Sequence, residues 1–453
     1  DKNNYGGYSL TKNPSASTVG SPSTLDAALS IASVENSFLN YSHFLLAAGD
    51  QKMGYIDNGT PGKEFASIGA GTFEYVNCGL GTPEDVAAAG DLTGKIALVK
   101  RGSISFTEKC KNVADAGAMA MVLYNNAAGT ISMTIEKYLV PAVSIEETAG
   151  NVLVNAINPD TKVGTFTYDP AQTGSLPSPS AGQMSNFSSW GPTPELTLKP
   201  EITAPGGNIY SSTQMSGAES QYGLMSGTSM AAPHMSGASA LVKEYVEETY
   251  PELDSLAVEY LVNNLMMSTA NPVIESGTPD DATPVNYYSP RKQGAGLVDL
   301  YKAVTTNAYL TVAGSNRPKA ELGSKASGSY TFYYTINNMS NQAIAYDLSG
   351  AVQLEAYSAT KDGDLLSTTK SWNVTGDCAK ISFTGSRVKR GVATVPANGK
   401  AEIRVNVKID KTNADMIEYM KDHPNGFFVE GFVFADDKEV KLNVPFMGFC
   451  GNW

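Results

Sequence analysis

One stretch of the chain concentrates the ingredients of nucleophilic chemistry: Gly223-Leu-Met-Ser-Gly-Thr-Ser-Met-Ala-Ala-Pro-His-Met-Ser-Gly237. Two glycines ahead of a serine make a tight loop that can present a hydroxyl. Small residues after it let a helix pack closely against a sheet. Pro233 would break a helix interior, but a helix starting at Ser229 or Met230 leaves its first N–H groups unpaired anyway. Ser229 is therefore predicted at a helix N-terminus, where free N–H groups and the helix dipole favour a developing oxyanion. On Gly-Thr-Ser alone, a helix N-cap is the simpler reading. A nucleophilic serine also needs a base, and the base needs a group to orient it. The sequence has three histidines, His43, His234 and His423. His234 stands five residues beyond Ser229 on the same predicted helix, about 500° round at roughly 100° per residue, so their side chains diverge by about 140°. It reads as a packed structural residue, and His43 and His423 read as loop histidines.

These residues need a scaffold, and the chain divides into four blocks. Residues 1–46 are loop-rich until Leu25-Asp-Ala-Ala-Leu-Ser-Ile-Ala-Ser-Val34, whose β-branched end reads as a buried strand. Residues 47–170 hold a strand-like Lys95-Ile-Ala-Leu-Val-Lys100, a helical stretch over 106–116 and a second apolar run, Ala118-Met-Ala-Met-Val-Leu-Tyr124. Strand, helix and strand at this spacing predict a small α/β unit. Residues 171–307 open in linker-like Gly174-Ser-Leu-Pro-Ser-Pro-Ser180 and become helical after Ser229. Residues 308–453 alternate strictly. Tyr330, Phe332, Tyr334 and Ile336 are every second residue, as are the apolar positions of Glu402-Ile-Arg-Val-Asn-Val-Lys-Ile409. That period marks half-buried antiparallel strands and hence a β-sandwich.

The longer string over 227–234, Gly-Thr-Ser-Met-Ala-Ala-Pro-His, resembles the nucleophile motif of the subtilisin-like serine proteases. Other segments are similar to that family in the same order. They are Ser17-Thr-Val-Gly-Ser-Pro22 for the substrate-pocket loop, Phe187-Ser-Ser-Trp-Gly-Pro192, Lys199-Pro-Glu-Ile-Thr-Ala-Pro-Gly206 and Gln293-Gly-Ala-Gly-Leu-Val298. Gly94-Lys-Ile-Ala-Leu-Val-Lys-Arg-Gly102 resembles part of a protease-associated domain. The last block, down to Val444-Pro-Phe-Met-Gly-Phe449, resembles the fibronectin-like module of streptococcal C5a peptidases and lactococcal cell-envelope proteinases. The resemblance implies an α/β fold. Part of a subtilisin-like parallel-sheet domain is interrupted by a protease-associated α/β insert and followed by a fibronectin-III-like β-sandwich. It makes Ser229 the nucleophile and one oxyanion donor, Thr228 a support for that turn, and Gly20 the base of the S1 pocket. No cofactor or catalytic metal is required, and a structural calcium ion is compatible with the family.

In that family the order along the chain is Asp, His, oxyanion Asn, then Ser. No His-Gly-Thr-His-like segment and no Asp-Ser-Gly or Asp-Thr-Gly near the start is present. The resemblance thus implies that acid, base and Asn lie upstream of Asp1, on a separate N-terminal chain of the same protease. Asp1-Lys-Asn-Asn-Tyr-Gly-Gly7 resembles the polar loop that follows the Asn, which suggests nicking of an exposed loop after folding. A second reading is a non-catalytic protein-binding module or inactive fragment. Thr228, Ser229 and Gly20 together favour an enzyme acting on a protein or peptide, since a binding module needs none of them.

Composition narrows the classes further. The 453 residues carry 32 basic and 45 acidic side chains, a formal net of −13. Such a surface repels nucleic-acid phosphates and anionic lipid. No apolar run nears the roughly 18 residues of a membrane span, and no signal-like segment opens the chain. The four cysteines are too scattered for a disulfide scaffold, and none forms a C-x-x-C pair. Few cysteines with many Gly, Ser, Thr, Asn and Tyr suit a bacterial exported protein, secreted or held at the cell surface.

Overall fold

The computed structural model describes residues 17–46, 51–57, 63–126, 131, 133–178, 180–212, 222–275, 277–279, 282–359 and 365–453. It comprises two compact units, Asp1–Asn36 with Gly182–Trp453, and Ser37–Ala181. The polar segment at residues 1–7 lies outside the described residues.

Strand β1 (Ile31–Glu35) is the apolar end of the run expected to be a strand, buried at Ala32, Ser33 and Val34. The second unit follows it. β2 (Phe38–Leu46), β3 (Lys52–Asp57), β4 (Gly71–Asn77), β5 (Ile96–Lys100), β6 (Ala120–Tyr124), β7 (Ala142–Ile145) and β8 (Val163–Pro177) close a barrel. Its order is β2-β3-β7-β6-β5-β4-β8. Helices α1 (Pro83–Ala89), α2 (Phe106–Asp115) and α3 (Glu147–Asn155) join the strands. β5 and β6 are parallel and buried almost throughout, which explains why they read as continuous apolar runs. The helix between them starts at a capping box in which the Ser105 hydroxyl and the Glu108 side chain each bond the other's backbone N–H.

Two expectations fail at this unit's edges. The unit runs from Ser37 to Ala181, and residues 38–46 and 171–177 are barrel strand, because β2 and β8 pair antiparallel from Phe38 opposite Pro177 to Leu46 opposite Phe166. Residues 174–177 are therefore strand where the Pro and Ser content of this stretch suggested a linker; backbone pairing at that end needs no apolar alternation. For the same reason His43 is a buried strand residue, 4% exposed, and not a loop histidine.

In the first unit, β9 (Ile202–Gly207) runs parallel to β1 with Ile202 opposite Ile31. β10 (Ile209–Ser212) and β11 (Tyr222–Met225) form a hairpin on which Tyr210 and Tyr222 stack, ring centres 5.8 Å apart. Helix α4 (Thr228–Thr249) buries Ala231, Met235, Ala238, Val242 and Val246 against β9 and α5 (Ser255–Ser268). The remainder is a sandwich of a four-stranded and a seven-stranded sheet. The alternation read from sequence is its register. Tyr330 lies opposite Val407 and Phe332 opposite Val405, all buried between the sheets. Leu196 and Leu198 pack with Phe428, Met447 and Phe449, so an apolar seam joins the sandwich to the segment leading into β9. No helix among the described residues is long and apolar enough to cross a membrane.

Candidate active site

The turn that carries Ser229 is set by close backbone approach. Gly227 has φ 158°, and its N–H donates to Gly206 O at 2.8 Å. A Cβ on Gly206 would lie 2.4 Å from Ser33 Oγ and 2.6 Å from Gly227 O, so only glycine lets β1, β9 and the helix start meet here. Helical bonding begins with the Met230 and Ala231 N–H groups, both of which donate to Gly227 O. The Thr228 and Ser229 N–H groups precede that ladder, and Ser229 is exposed while Thr228 is half-buried. The helix starts at Thr228, one or two residues before the expected start at Ser229 or Met230. Pro233 consequently lies inside it, and the bond it cannot donate is the one to the Ser229 carbonyl.

His234 does not serve Ser229. Its Nδ1 is 2.8 Å from Pro205 O, which ties the helix back to β9. The side chain is exposed, in contrast to the packed residue expected. His423 caps the helix Ala414–Asp422 and stacks on Tyr419, ring centres 4.0 Å apart. Beside the nucleophile turn lies an open hollow of ≈ 400 Å³, lined mainly by Ile209, Gly223, Met225, Met230 and His234.

The segment holding Gly20 hangs on Trp190 and Gly191. Thr18 and Val19 N–H groups donate to Trp190 O at 2.7 and 3.0 Å, Ser17 N–H to Gly191 O at 3.1 Å, and Trp190 N–H to Thr18 Oγ1 at 2.8 Å. Gly20 is exposed, and nothing stands within 4 Å of where its Cβ would be. The Gly20 segment is thus held by Trp190 and Gly191, and the Ser229 turn by Gly206 of β9.

Two buried ionic groups escaped the sequence reading. Glu201 on the approach to β9 receives Lys199, Arg317 and Lys319 at 3.0, 2.8 and 3.0 Å and the Ser30 N–H at 2.9 Å. Burial alone would raise the Glu201 carboxyl, but the three cations and that N–H hold it below its ordinary value. Arg291, fully buried, pairs with Glu430 at 2.9 Å and Glu355 at 2.7 Å, and its guanidinium sits 3.8 Å from the Phe428 ring centre. Lys199 and Glu201 lie in the family-like segment 199–206, but nothing local marks them as ion partners, and the other partners, Arg317, Lys319, Glu355 and Glu430, are distant in sequence.

Among the described residues one cluster has ligand-type side chains together, Asp377, Cys378 and Asp415 in the sandwich. Burial, then the Asp377 and Asp415 carboxylates, push the Cys378 thiol up to about 11. Calcium takes six to eight oxygens, which two carboxylates beside a thiol do not supply.

With this geometry in view, comparison with known proteins is decisive on class. The subtilase family pattern matches residues 3–349 and an Fn3-like domain pattern matches 321–447. The chain belongs to the subtilase family, a subtilisin-like serine peptidase family, and its catalytic part is followed by an Fn3-like domain. It is 30% identical to a C5a peptidase of Streptococcus pyogenes over 98% of this chain and 35% of that protein. It is also 30% identical to a PII-type proteinase of Lacticaseibacillus paracasei, over 96% of this chain and 22% of that one. A PII-type proteinase of Lactococcus lactis subsp. cremoris is 32% identical over 80% of this chain and 18% of its own length. The chain spans about a third or less of these relatives.

Proposed function

We propose that this chain is the nucleophile-bearing part of a cell-surface or secreted serine endopeptidase that cleaves protein substrates. Ser229 attacks the scissile carbonyl, forms an acyl-enzyme and contributes its own N–H to the oxyanion hole, with Thr228 supporting the turn. Gly20 lies at the base of the pocket for the residue before the scissile bond. Triad Asp and His and the oxyanion Asn come from an N-terminal polypeptide of the same protease. The barrel is a protease-associated insert.

The observation that carries the reading is an exposed serine at the head of a helix whose first N–H groups are uncommitted. A second one supports the N-terminal partner. From Thr228 to Val242 helix α4 has no charged residue, yet Ala232, Ser236, Gly237, Ala240 and Leu241 are exposed, Leu241 by 58%. Three turns of small and apolar residues on one helix face are made for burial against another segment, not for water. The likeness to a C5a peptidase and to PII-type proteinases favours polypeptide substrates and a place outside the cell.

The test is co-production with an N-terminal part carrying Asp, His and Asn, followed by a peptide-hydrolysis assay. The pair should be active, and Ser229→Ala should lose several orders of magnitude in turnover. Near-normal hydrolysis by Ser229→Ala would refute the assignment.

A further inference from the structure

The segment from residue 17 to 28 has little apolar anchorage. Leu25 is 58% exposed, and nothing stands within 4 Å of where a Cβ on Gly20 would be; the Gly20 carbonyl accepts from the neighbouring Ser23 hydroxyl, at 2.7 Å. What holds it is hydrogen bonding at both ends, and each end leads to the sandwich. At the C-terminal end Arg317, from the first turn of the sandwich, donates to three consecutive carbonyls. Nη1 reaches Asp26 O at 2.8 Å and Ala28 O at 3.3 Å, and Nη2 reaches Ala27 O at 3.4 Å. Lys199 Nζ adds Leu25 O at 3.0 Å and Ala28 O at 2.8 Å, and Glu201 holds both cations. A guanidinium is the one side chain with enough donors in a fixed fork to span three carbonyls and a carboxylate.

At the N-terminal end the Thr18 and Val19 N–H groups meet Trp190 O, and the Gly191 N–H meets Arg291 O at 2.8 Å. The Arg291 guanidinium lies 5.8 Å from the Trp190 ring centre and is fixed from the other side by Glu430 and Glu355 of the sandwich. Simple adhesion between two domains would need only the ion pairs. The Arg317 bonds to the backbone oxygens of residues 26–28 are additional and fall on this one segment, while Arg291 reaches it one step removed, its carbonyl accepting from the Gly191 N–H beside Trp190.

We infer that the Fn3-like sandwich is a clamp on the substrate-pocket segment, with Arg317 and Arg291 as positioning residues for it. This rests on the reading of Gly20 as part of the pocket. Selectivity for the residue before the scissile bond then depends on a domain outside the cleft.

The experiment compares Arg317→Ala, Arg317→Lys and Lys319→Met in the assembled enzyme. Lys319 shares the Glu201 cluster and bonds Leu198 O, but makes no bond to residues 26–28, so its variant weakens the domain junction alone. Hydrogen exchange over residues 17–29 is read with the ratio of kcat/KM for Phe and Ala before the scissile bond. Fluorophosphonate labelling of Ser229 reports the nucleophile. Arg317→Ala should raise exchange in 17–29 by about tenfold or more and cut the Phe/Ala ratio about tenfold. Labelling should stay within about twofold. Arg317→Lys, which keeps the charge but not the fork, should lie between, and covers the case in which Arg317→Ala does not fold. Lys319→Met should lower the thermal midpoint with exchange in 17–29 and the ratio unchanged. Unchanged exchange and ratio in both Arg317 variants, or equal effects from Lys319→Met, would overturn the clamp. Absence of labelling in the wild-type enzyme would instead count against the proposed function, while the exchange measurement still decides the clamp.

Discussion

Replacing Glu275 with glutamine should stabilise the protein above neutral pH and do nothing of the kind at pH 4.5. Glu275 is 5% exposed, and both carboxyl oxygens accept the Ser371 N–H of the sandwich at 3.2 Å. Burial pushes its carboxyl from 4.5 up to about 7, against the pull of that N–H, Lys370 and Lys292. The folded carboxyl is therefore harder to ionise than the unfolded one. Below 4.5 both states are protonated and the group costs nothing. Between 4.5 and about 7 the unfolded chain ionises first, so stability falls as pH rises, and above 7 the cost is constant. At 1.36 kcal/mol per pH unit the span sets a ceiling of about 3 kcal/mol. Glutamine keeps an oxygen for Ser371 but removes the countercharge of buried Lys292, which gives back about half of that. A net gain of about 1–2 kcal/mol at pH 8 remains, or roughly 2–8 °C in thermal midpoint. The assay is thermal unfolding of wild-type and Glu275→Gln proteins from pH 4.5 to 8.5, in a Ser229→Ala background that prevents self-digestion. A difference independent of pH, or a wild type that gains on the variant as pH rises, would refute the reasoning.

Arg291→Ala should cost about 3–5 kcal/mol in denaturant unfolding, because it strands Glu430 and Glu355 in a buried site. Gly20→Glu should reject bulky side chains before the scissile bond and favour Lys or Arg there, as read on a peptide panel; an unchanged preference would exclude Gly20 from the pocket. Leu241→Asp should weaken association with the N-terminal part by about 1–3 kcal/mol in a titration, and leave this chain's own thermal midpoint nearly unchanged, since Leu241 is exposed in it.

What the sequence made legible was local. The Ser229 turn depends on Gly227, the small residues after it and a helix start within a few positions, and all of that is contiguous. The sandwich strands carry their register in the alternation of Tyr330 to Ile336 and Ile403 to Ile409. Pairing at a distance was hidden. β2 and β8 close the barrel across more than a hundred residues, so a Pro/Ser stretch looked like a linker and His43 looked like a loop residue. Arg317 and Arg291 were invisible for the same reason. Nothing near them in sequence signals a partner at Asp26 or Glu430. The start of α4 was placed one or two residues late because Pro233 was taken as its limit, whereas a proline one turn in costs only the bond to Ser229 O.

The central claim is that Ser229 is an activated nucleophile in the assembled enzyme. A fluorophosphonate probe added to the protein together with its N-terminal part, followed by peptide mapping, tests it most directly. The account predicts one adduct, on Ser229, that needs the N-terminal part to form and disappears when its triad His is replaced. No adduct on Ser229 in the verified assembly, or one formed equally well without the N-terminal part, would contradict it.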